Sequence, residues 1–96
     1  MEQYYLIVNV ESDTYNKWHR LVKGKRCTIE SLEKGEIAWL MIENISPYDE
    51  WSRFHTSLVN DFTEINGCLI VETKNSVYTF CIDPLICLTW MNARSR

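Results

Sequence analysis

Asn66-Gly67 stands between two runs in which apolar and polar residues alternate, and no other dipeptide constrains the fold of this chain as strongly. Asn-Gly in such a setting is the strongest short signal for a two-residue β-hairpin turn, because both residues tolerate the positive φ angles that the turn needs. Pairing across this turn sets Ile65 opposite Cys68 and Phe62 opposite Val71. The chain is therefore expected to build its fold around an antiparallel sheet.

A second turn at Asn75-Ser76 extends this hairpin into a predicted three-stranded meander over residues 58–65, 68–74 and 77–83. The turn pairs Lys74 with Val77 and Val71 with Phe80, whereas a three-residue loop would divide the apolar residues between the two faces. The predicted packed face collects apolar side chains: Leu58, Phe62, Leu69, Val71, Tyr78, Phe80 and Ile82. The opposite, mixed face is expected to be partly exposed to water and carries Val59, Asp61, Ile65, Cys68, Ile70, Glu72, Thr79 and Cys81.

The first half of the chain predicts further strands and one helix. Residues 3–10 are apolar on both faces of a strand, which indicates a position inside the sheet. Apolar residues at helical spacing, followed by Gly24, predict a helix over about residues 13–23. Strands are expected at residues 26–30 and 36–43, and the apolar run within the second of them indicates that it is covered on both sides.

Ser46-Pro47, followed by two carboxylates, is typical of a helix start, and a helix of one or two turns ending near Arg53 is expected there. Together these elements predict the α+β class, with a single β-rich domain over residues 1–96. The expected architecture is a strongly bent antiparallel sheet, or a small partly open barrel of five to six strands, with one helix packed on it.

Composition narrows the classes of function. The chain has 96 residues, a net charge of −3 and a pI of about 5.3, which disfavours direct binding to nucleic-acid phosphates. The N-terminus lacks the pattern of a signal peptide, and no apolar run is long enough to span a membrane, so a cytoplasmic protein is expected. In that compartment the four cysteines, Cys27, Cys68, Cys81 and Cys87, should remain free thiols.

The candidate catalytic and metal-ligating residues form no recognisable motif. His19 and His55 have no nearby cysteine pair or second histidine at ligand spacing, so neither a metal nor a cofactor is predicted. His19 is interpreted as a residue of the helix surface. The Asp61 and Glu72 carboxylates oppose each other in the predicted register, and a solvated strand face is the favoured interpretation of that pair. An enzyme is therefore not expected.

Two features point to binding instead. Residues 50–57 are dense in aromatic and cationic side chains, which predicts either an interface or a packed corner in which Arg53 stacks on a ring, with the corner favoured. Six carboxylates lie between Glu30 and Glu50, against the single cation Lys34. They could form one negative face for a basic partner, but an ordinary solvated surface is the favoured interpretation.

The segments Thr56-Ser57-Leu58-Val59 and Glu72 to Phe80 resemble a pattern found in small uncharacterised proteins of phages and mobile elements. In that pattern T-S-x-V leads through a hairpin to T-x-N-S-x-Y, and the resemblance covers about a third of the chain. It implies the context of a short, acidic, cofactor-free protein. Such proteins often act as stoichiometric inhibitors of host enzymes, including anti-restriction and anti-CRISPR proteins.

The predicted function is therefore a non-enzymatic protein-binding module that acts by occlusion, as an inhibitor of a host defence enzyme of the anti-CRISPR or anti-restriction type. Its expected partner is a protein, with a basic nucleic-acid-handling enzyme as the candidate, and no membrane. The alternative is a structural or single-stranded nucleic-acid-binding barrel, and a small hydrolase ranks third. The predicted partner-binding residues are Glu33, Glu36, Glu43, Asp49, Glu50, Trp51 and Arg53.

Overall fold

The computed structural model describes residues 3–12 and 17–82, and the strands in this part of the chain close into one antiparallel barrel. The order around the barrel follows the chain, and the last strand pairs back with the first. The β-rich single-domain prediction is confirmed, but the barrel is closed, and the described part of the helix comprises six residues. The elements are β1 (Tyr4–Ser12), α1 (Lys17–Val22), β2 (Arg26–Ser31), β3 (Ile37–Glu43), β4 (Trp51–Ile65), β5 (Cys68–Thr73) and β6 (Ser76–Ile82).

The interior of the barrel is filled by every second residue of each strand, as the two-residue period of a strand requires. In β3 the side chains of Ala38, Leu40 and Ile42 are buried and the residues between them are half-buried. β3 was predicted to be covered on both faces, but only its inner face is fully buried. The remaining buried apolar residues are Ile7, Val10, Val22, Cys27, Val59, Leu69, Val71, Tyr78 and Phe80.

Bulges in β1 and β4 decide which residues point inward. The register of β1 against β6 shifts between Ile7 and Asn9, so that Ile7 and Val10 both reach the core. A second shift, between Val59 and Asp61, reverses the alternation in β4, because a bulge adds one unpaired residue. Leu58, predicted for the packed face, is consequently 49% exposed, and Val59, predicted for the mixed face, is only 1% exposed.

The β4–β5 hairpin has the predicted register. Asn66 and Gly67 both have positive φ, Ile65 pairs with Cys68, and Phe62 pairs with Val71. Asp61 lies opposite Glu72, as expected. The Asn-Gly turn therefore positions the second half of the barrel as the sequence predicts.

The β5–β6 hairpin is shifted by two residues from the predicted register. Val71 pairs with Tyr78 and not with Phe80, and the two-residue turn is Lys74-Asn75. The Thr73 hydroxyl favours this turn: it accepts the Ser76 N–H at 3.0 Å and donates to the Ser76 carbonyl at 2.9 Å. A shift of two residues preserves the faces, so Leu69, Val71, Tyr78 and Phe80 are buried as predicted.

The predicted helix near residues 46–53 is absent, since residues 44–50 form a loop and β4 already begins at Trp51. Asn44, at a positive φ, donates its N–H to the Glu50 carbonyl and closes the loop. The Ser46 hydroxyl accepts the Tyr48 N–H at 3.2 Å, so the serine stabilises a turn and not a helix. The aromatic and cationic residues that follow thus belong to a strand and not to a packed corner.

Only the second half of the predicted helix is seen, because residues 13–16 lie outside the described part of the chain. Gly24 ends this region in a left-handed conformation and donates its N–H to the Ile7 carbonyl at 2.7 Å, which agrees with its predicted role as a stop signal. No helix among the described residues is long and apolar enough to cross a membrane.

His19 is buried and not on the helix surface as predicted. Its Nε2 lies 3.4 Å from the Ser76 hydroxyl, and its ring packs 6.5 Å from the Tyr78 ring. The prediction was wrong because the face of a short helix that meets the barrel depends on where β6 lies, which local spacing does not reveal. His19 therefore attaches α1 to the start of β6.

Candidate functional site

The outer surface of β1 to β4 carries a continuous layer of rings and guanidinium groups, which we call the aromatic–arginine face. Its rows follow from the strand register: Tyr4 pairs with Thr28, Thr28 with Met41, and Met41 with Arg53. Because paired residues of neighbouring strands point to the same side of a sheet, the large side chains of these rows lie side by side. The face consists of Tyr4, Arg26, Trp39, Trp51, Arg53 and His55.

Arg26 organises one half of this face. Its guanidinium carbon lies 5.3 Å from the centre of the Tyr4 ring and 6.0 Å from that of the Trp51 ring. Its Nε and one terminal nitrogen bind the two oxygens of Glu43 at 2.9 and 3.1 Å. A bidentate ion pair of this kind fixes the plane of the guanidinium group. The Tyr4 and Trp51 rings, 6.0 Å apart, are thereby held in place.

Arg53 repeats the same arrangement in the other half. Its guanidinium carbon lies 4.2 Å from the centre of the Trp39 ring, and its Nε donates to Glu30 at 3.2 Å. The His55 ring lies 5.1 Å from the Trp39 ring on the other strand of the pair. The prediction that Arg53 stacks on an aromatic ring is confirmed. Each arginine of the face is thus stacked on a ring and paired with one carboxylate.

A cleft of about 180 Å³ opens near the Arg26 half, between Tyr4, Thr28, Met41 and Trp51. Its walls are a phenol ring, an indole ring and a thioether, and Thr28 supplies a hydroxyl group. The size suits one inserted side chain better than a whole ligand, because ligand pockets usually begin at about 300 Å³.

The predicted partner-binding residues do not form one cluster. Glu43, Trp51 and Arg53 belong to the aromatic–arginine face or pair with it. Glu33 and Glu36 are exposed in the turn between β2 and β3, at one end of the face. Asp49 and Glu50 are exposed in the loop 44–50, beyond the other end of β3. The acidic residues therefore flank an aromatic centre and do not form a single negative face. Their role in binding stays a prediction.

A row of carboxylates lies on a different part of the barrel. Asp61 pairs with Glu72, Glu72 with Val77, and Val77 with Glu11, so three acidic side chains share the outer surface of β4, β5, β6 and β1. Lys34 binds Asp61 at 3.0 Å. The hydrogen bond from Lys34, the N–H of Phe62 and the lysine charge lower the pKa of Asp61. The predicted like-charge contact of Asp61 with Glu72 is therefore compensated.

Cys68 and Cys81 form a disulfide, which corrects the prediction of free thiols. The predicted register kept these cysteines apart, and the two-residue shift places them directly opposite, with Cα atoms 4.2 Å apart. Because disulfides are rare in reducing compartments, this pairing counts against the cytoplasmic location, which stays a prediction. Cys27 is a free, buried thiol as expected, and Cys87 lies outside the described residues.

The remaining candidates for nucleophilic chemistry are kept apart. Burial raises the pKa of Cys27 to about 12, so this thiol stays protonated near neutral pH. Cys27 points into the barrel, whereas His55 lies on the outer face with its Nδ1 3.1 Å from the Thr56 carbonyl. Within residues 3–12 and 17–82, no group of three or more His, Cys, Asp or Glu residues could hold a metal ion.

Sequence reasoning found Trp51, Arg53 and Glu43, and it named Arg26 only together with Lys25, as the basic residues of the nucleic-acid alternative. It assigned no binding role to Tyr4 or Trp39. The available signal was strand parity. Trp39 lies between the buried residues Ala38 and Leu40, so it must point outward, and a large ring at such a position needs either a cover or a partner. Comparison of the chain with protein-family models, with curated proteins and with solved structures found no match.

Proposed function

We propose that this barrel is a non-enzymatic protein-binding module that acts by covering a surface of its partner with the aromatic–arginine face. The observation that carries the proposal is the double stacking of Arg26 on Tyr4 and Trp51 and of Arg53 on Trp39. Trp, Tyr and Arg dominate the binding energy of protein interfaces, where they lie near the centre of the contact.

The carboxylates support a protein partner over a nucleic acid. Glu43 and Glu30 compensate the charges of Arg26 and Arg53, so the face has no excess positive charge to offer a phosphate backbone. Preorganised rings cost little entropy on binding, since their side chains are already held by the arginines. The centre of the face thus resembles the aromatic core of an interface.

The flanking acidic residues favour a partner with a basic surface. Glu33 and Glu36 at one end, and Asp49 and Glu50 at the other, place exposed negative charge around the aromatic centre. Such a rim accelerates association with a basic surface and is screened by salt. A basic nucleic-acid-handling enzyme fits this description of the partner. This chain would then act as an inhibitor, as expected from the resemblance of its hairpin motif to small proteins of phages and mobile elements.

The second candidate is a module that binds single-stranded nucleic acid. One observation favours it: the Tyr4 and Trp51 rings lie beside Arg26, and bases stack on such aromatic platforms. The two candidates predict different effects of charge changes on affinity. Neutralising Arg26 and Lys25 should weaken nucleic-acid binding, and reversing the charge of Glu33 and Glu36 should strengthen it. A basic protein partner responds in the opposite way to the glutamate change.

The decisive experiment introduces a photo-crosslinking amino acid at Thr28, at the centre of the face, and a matched one at Thr79 on the outer surface of β6. The proposal is supported if the crosslinker at Thr28 captures a single protein of the source cell. The same product should be absent when the crosslinker is at Thr79, and absent when the crosslinker at Thr28 is combined with Trp51→Ala. Titration of the wild type with single-stranded and duplex DNA at two salt concentrations completes the test. Tight DNA binding at physiological salt that depends on Lys25 and Arg26 would replace the proposal with the second candidate.

A further inference from the structure

A cavity of about 330 Å³ opens at the end of the barrel where β1 begins and β4 ends. Apolar side chains from β1, β2, β4 and β5, and from the loop after β2, meet there. Tyr5 lies opposite Cys27 in the register, and Phe62 lies opposite the buried Val71, so both rings are on the interior side of the wall. Ile29, Leu32 and Leu69 complete the apolar lining. The cavity adjoins the aromatic–arginine face at Thr28 and Glu30, but its apolar lining lies on the interior side of the barrel wall.

Its size and composition are those of a ligand site. Small-molecule pockets begin at about 300 Å³ and combine an apolar lining with a few convergent polar groups. The polar groups at this mouth are Gln3, Thr28, Glu30 and Glu64. Both charged residues among them are acidic, and no lysine or arginine within residues 3–12 and 17–82 contributes to the lining. The site therefore offers an apolar floor beneath a negative rim.

Glu64 is the residue that gives the cavity its charge. The strand register pairs it with the buried Leu69, so its side chain leaves the strand on the same side as the core residues, and at this open end of the barrel it is exposed to water. Glu30 is compensated by Arg53. Among the described residues, no ion pair or side-chain hydrogen bond involves Glu64. An exposed carboxylate at the mouth of an apolar cavity, with no cationic partner among the described residues, is positioned to accept a cation from a ligand.

The Tyr5 hydroxyl is in the field of this carboxylate. Burial contributes most to the raised pKa of Tyr5, the negative charge of Glu64 adds to it, and Cys27 makes a smaller electrostatic contribution. The phenol is consequently protonated at neutral pH and available as a hydrogen-bond donor or acceptor at the cavity wall.

We propose that this cavity binds a small amphipathic amine, in which an aromatic or aliphatic body enters the apolar lining and a single ammonium group binds the Glu64 carboxylate. An ammonium–carboxylate contact at the rim leaves the cation partly in water, and the apolar body supplies the area that becomes buried. Neutral molecules lack the ionic contact. A dication has a second charge for which the described lining of the cavity offers no free carboxylate, and a bulky polycyclic molecule is too large for the cavity.

The test is a titration of the full chain with phenethylammonium chloride, followed by two-dimensional amide NMR. Saturable shifts are expected at Tyr5, Phe62 and Leu69. Glu64→Gln should weaken binding about fivefold, as expected for the loss of one charge-assisted contact at a partly exposed site. Glu72→Gln is the matched control: it removes the same charge from the same hairpin, but from the outer surface, and should change the affinity less than twofold.

2-Phenylethanol, which has the same body without the charge, should bind at least about fivefold more weakly than the amine. Trp51→Ala should leave amine binding unchanged, which separates this site from the aromatic–arginine face. Absence of saturable shifts, equal affinity for the alcohol and the amine, or equal effects of Glu64→Gln and Glu72→Gln would each overturn the proposal. Unchanged spectral dispersion confirms that every variant is folded.

Discussion

The outer walls over β2–β4 and over β5–β6 cover the same core, yet they are built differently. Over β2–β4 the wall carries Trp39, Trp51 and two arginines stacked on rings. Over β5–β6 it carries no ring from the described residues: its side chains include Glu72, Thr79 and the exposed Ile70, and the Cys68–Cys81 disulfide joins its two strands. Ordering large exposed side chains costs conformational entropy, and surface ion pairs return little of it. The stacked wall is therefore better explained by recognition than by stability.

The largest expected effect lies beneath the second wall. Phe80→Ala should lower the free energy of unfolding by about 3–5 kcal/mol, because this fully buried ring lies between Leu69 and Ile7 across the neighbouring strands. Chemical denaturation monitored by tryptophan fluorescence measures the change. Glu72→Gln, on the outer side of the adjacent strand, is the control and should change stability little. A Phe80→Ala variant as stable as the wild type would show that the barrel interior is wrongly assigned.

The next effect concerns the disulfide on that wall. Replacing Cys68 and Cys81 together by serine should cost about 3 kcal/mol, because the bond closes a short loop in the unfolded chain. A reducing agent should shift the unfolding midpoint of the wild type by a similar amount and leave the double variant unaffected. Mass spectrometry of alkylated protein should find these two cysteines protected before reduction. Full labelling of both in the native, unreduced protein would contradict the pairing.

The smallest effect tests the stacked wall itself. Arg53→Ala should cost roughly 0.5–1 kcal/mol, since it removes an exposed cation–π contact with Trp39 together with the surface ion pair to Glu30. Lys34→Ala is the matched control, because it removes a surface ion pair that involves no ring. It should leave the unfolding midpoint unchanged and raise the pKa of Asp61 toward its ordinary value, measurable by carboxylate NMR. If Arg53→Ala lowered the free energy of unfolding by several kcal/mol, the stacked wall would contribute to stability and would not be explained by recognition.

Local signals in the sequence determined the β4–β5 hairpin and most of the strands, but not the first half of β4, where a short helix was predicted. Asn66-Gly67 adopts the positive φ angles that its turn requires, and Phe62 faces Val71 as predicted. The buried set of Leu69, Val71, Tyr78 and Phe80 also followed from alternation alone. These features depend on residues close in sequence, for which period and turn chemistry are sufficient information.

The tertiary structure decided what alternation cannot distinguish. A shift of two residues in the β5–β6 hairpin leaves every face unchanged, so alternation did not determine the Lys74-Asn75 turn or the Cys68–Cys81 pairing. The observed turn is stabilised by the Thr73 hydroxyl, which binds Ser76 and also accepts a hydrogen bond from the Ser57 hydroxyl of β4 at 2.9 Å. Bulges are equally invisible in the pattern, and the one in β4 exchanged the environments of Leu58 and Val59.

The same limit applies to the candidate sites. Arg26 lies between Tyr4 and Trp51, and these three residues, which are distant in sequence, meet because β1 pairs with β2, β2 with β3 and β3 with β4. The mouth cavity likewise needs Tyr5 and Glu64 at one end of the barrel. Away from the bulges, the sequence by itself determined which residues point outward or inward along each strand. Which of them touch depended on non-local pairing, because contacts between distant segments form only when the sheet closes.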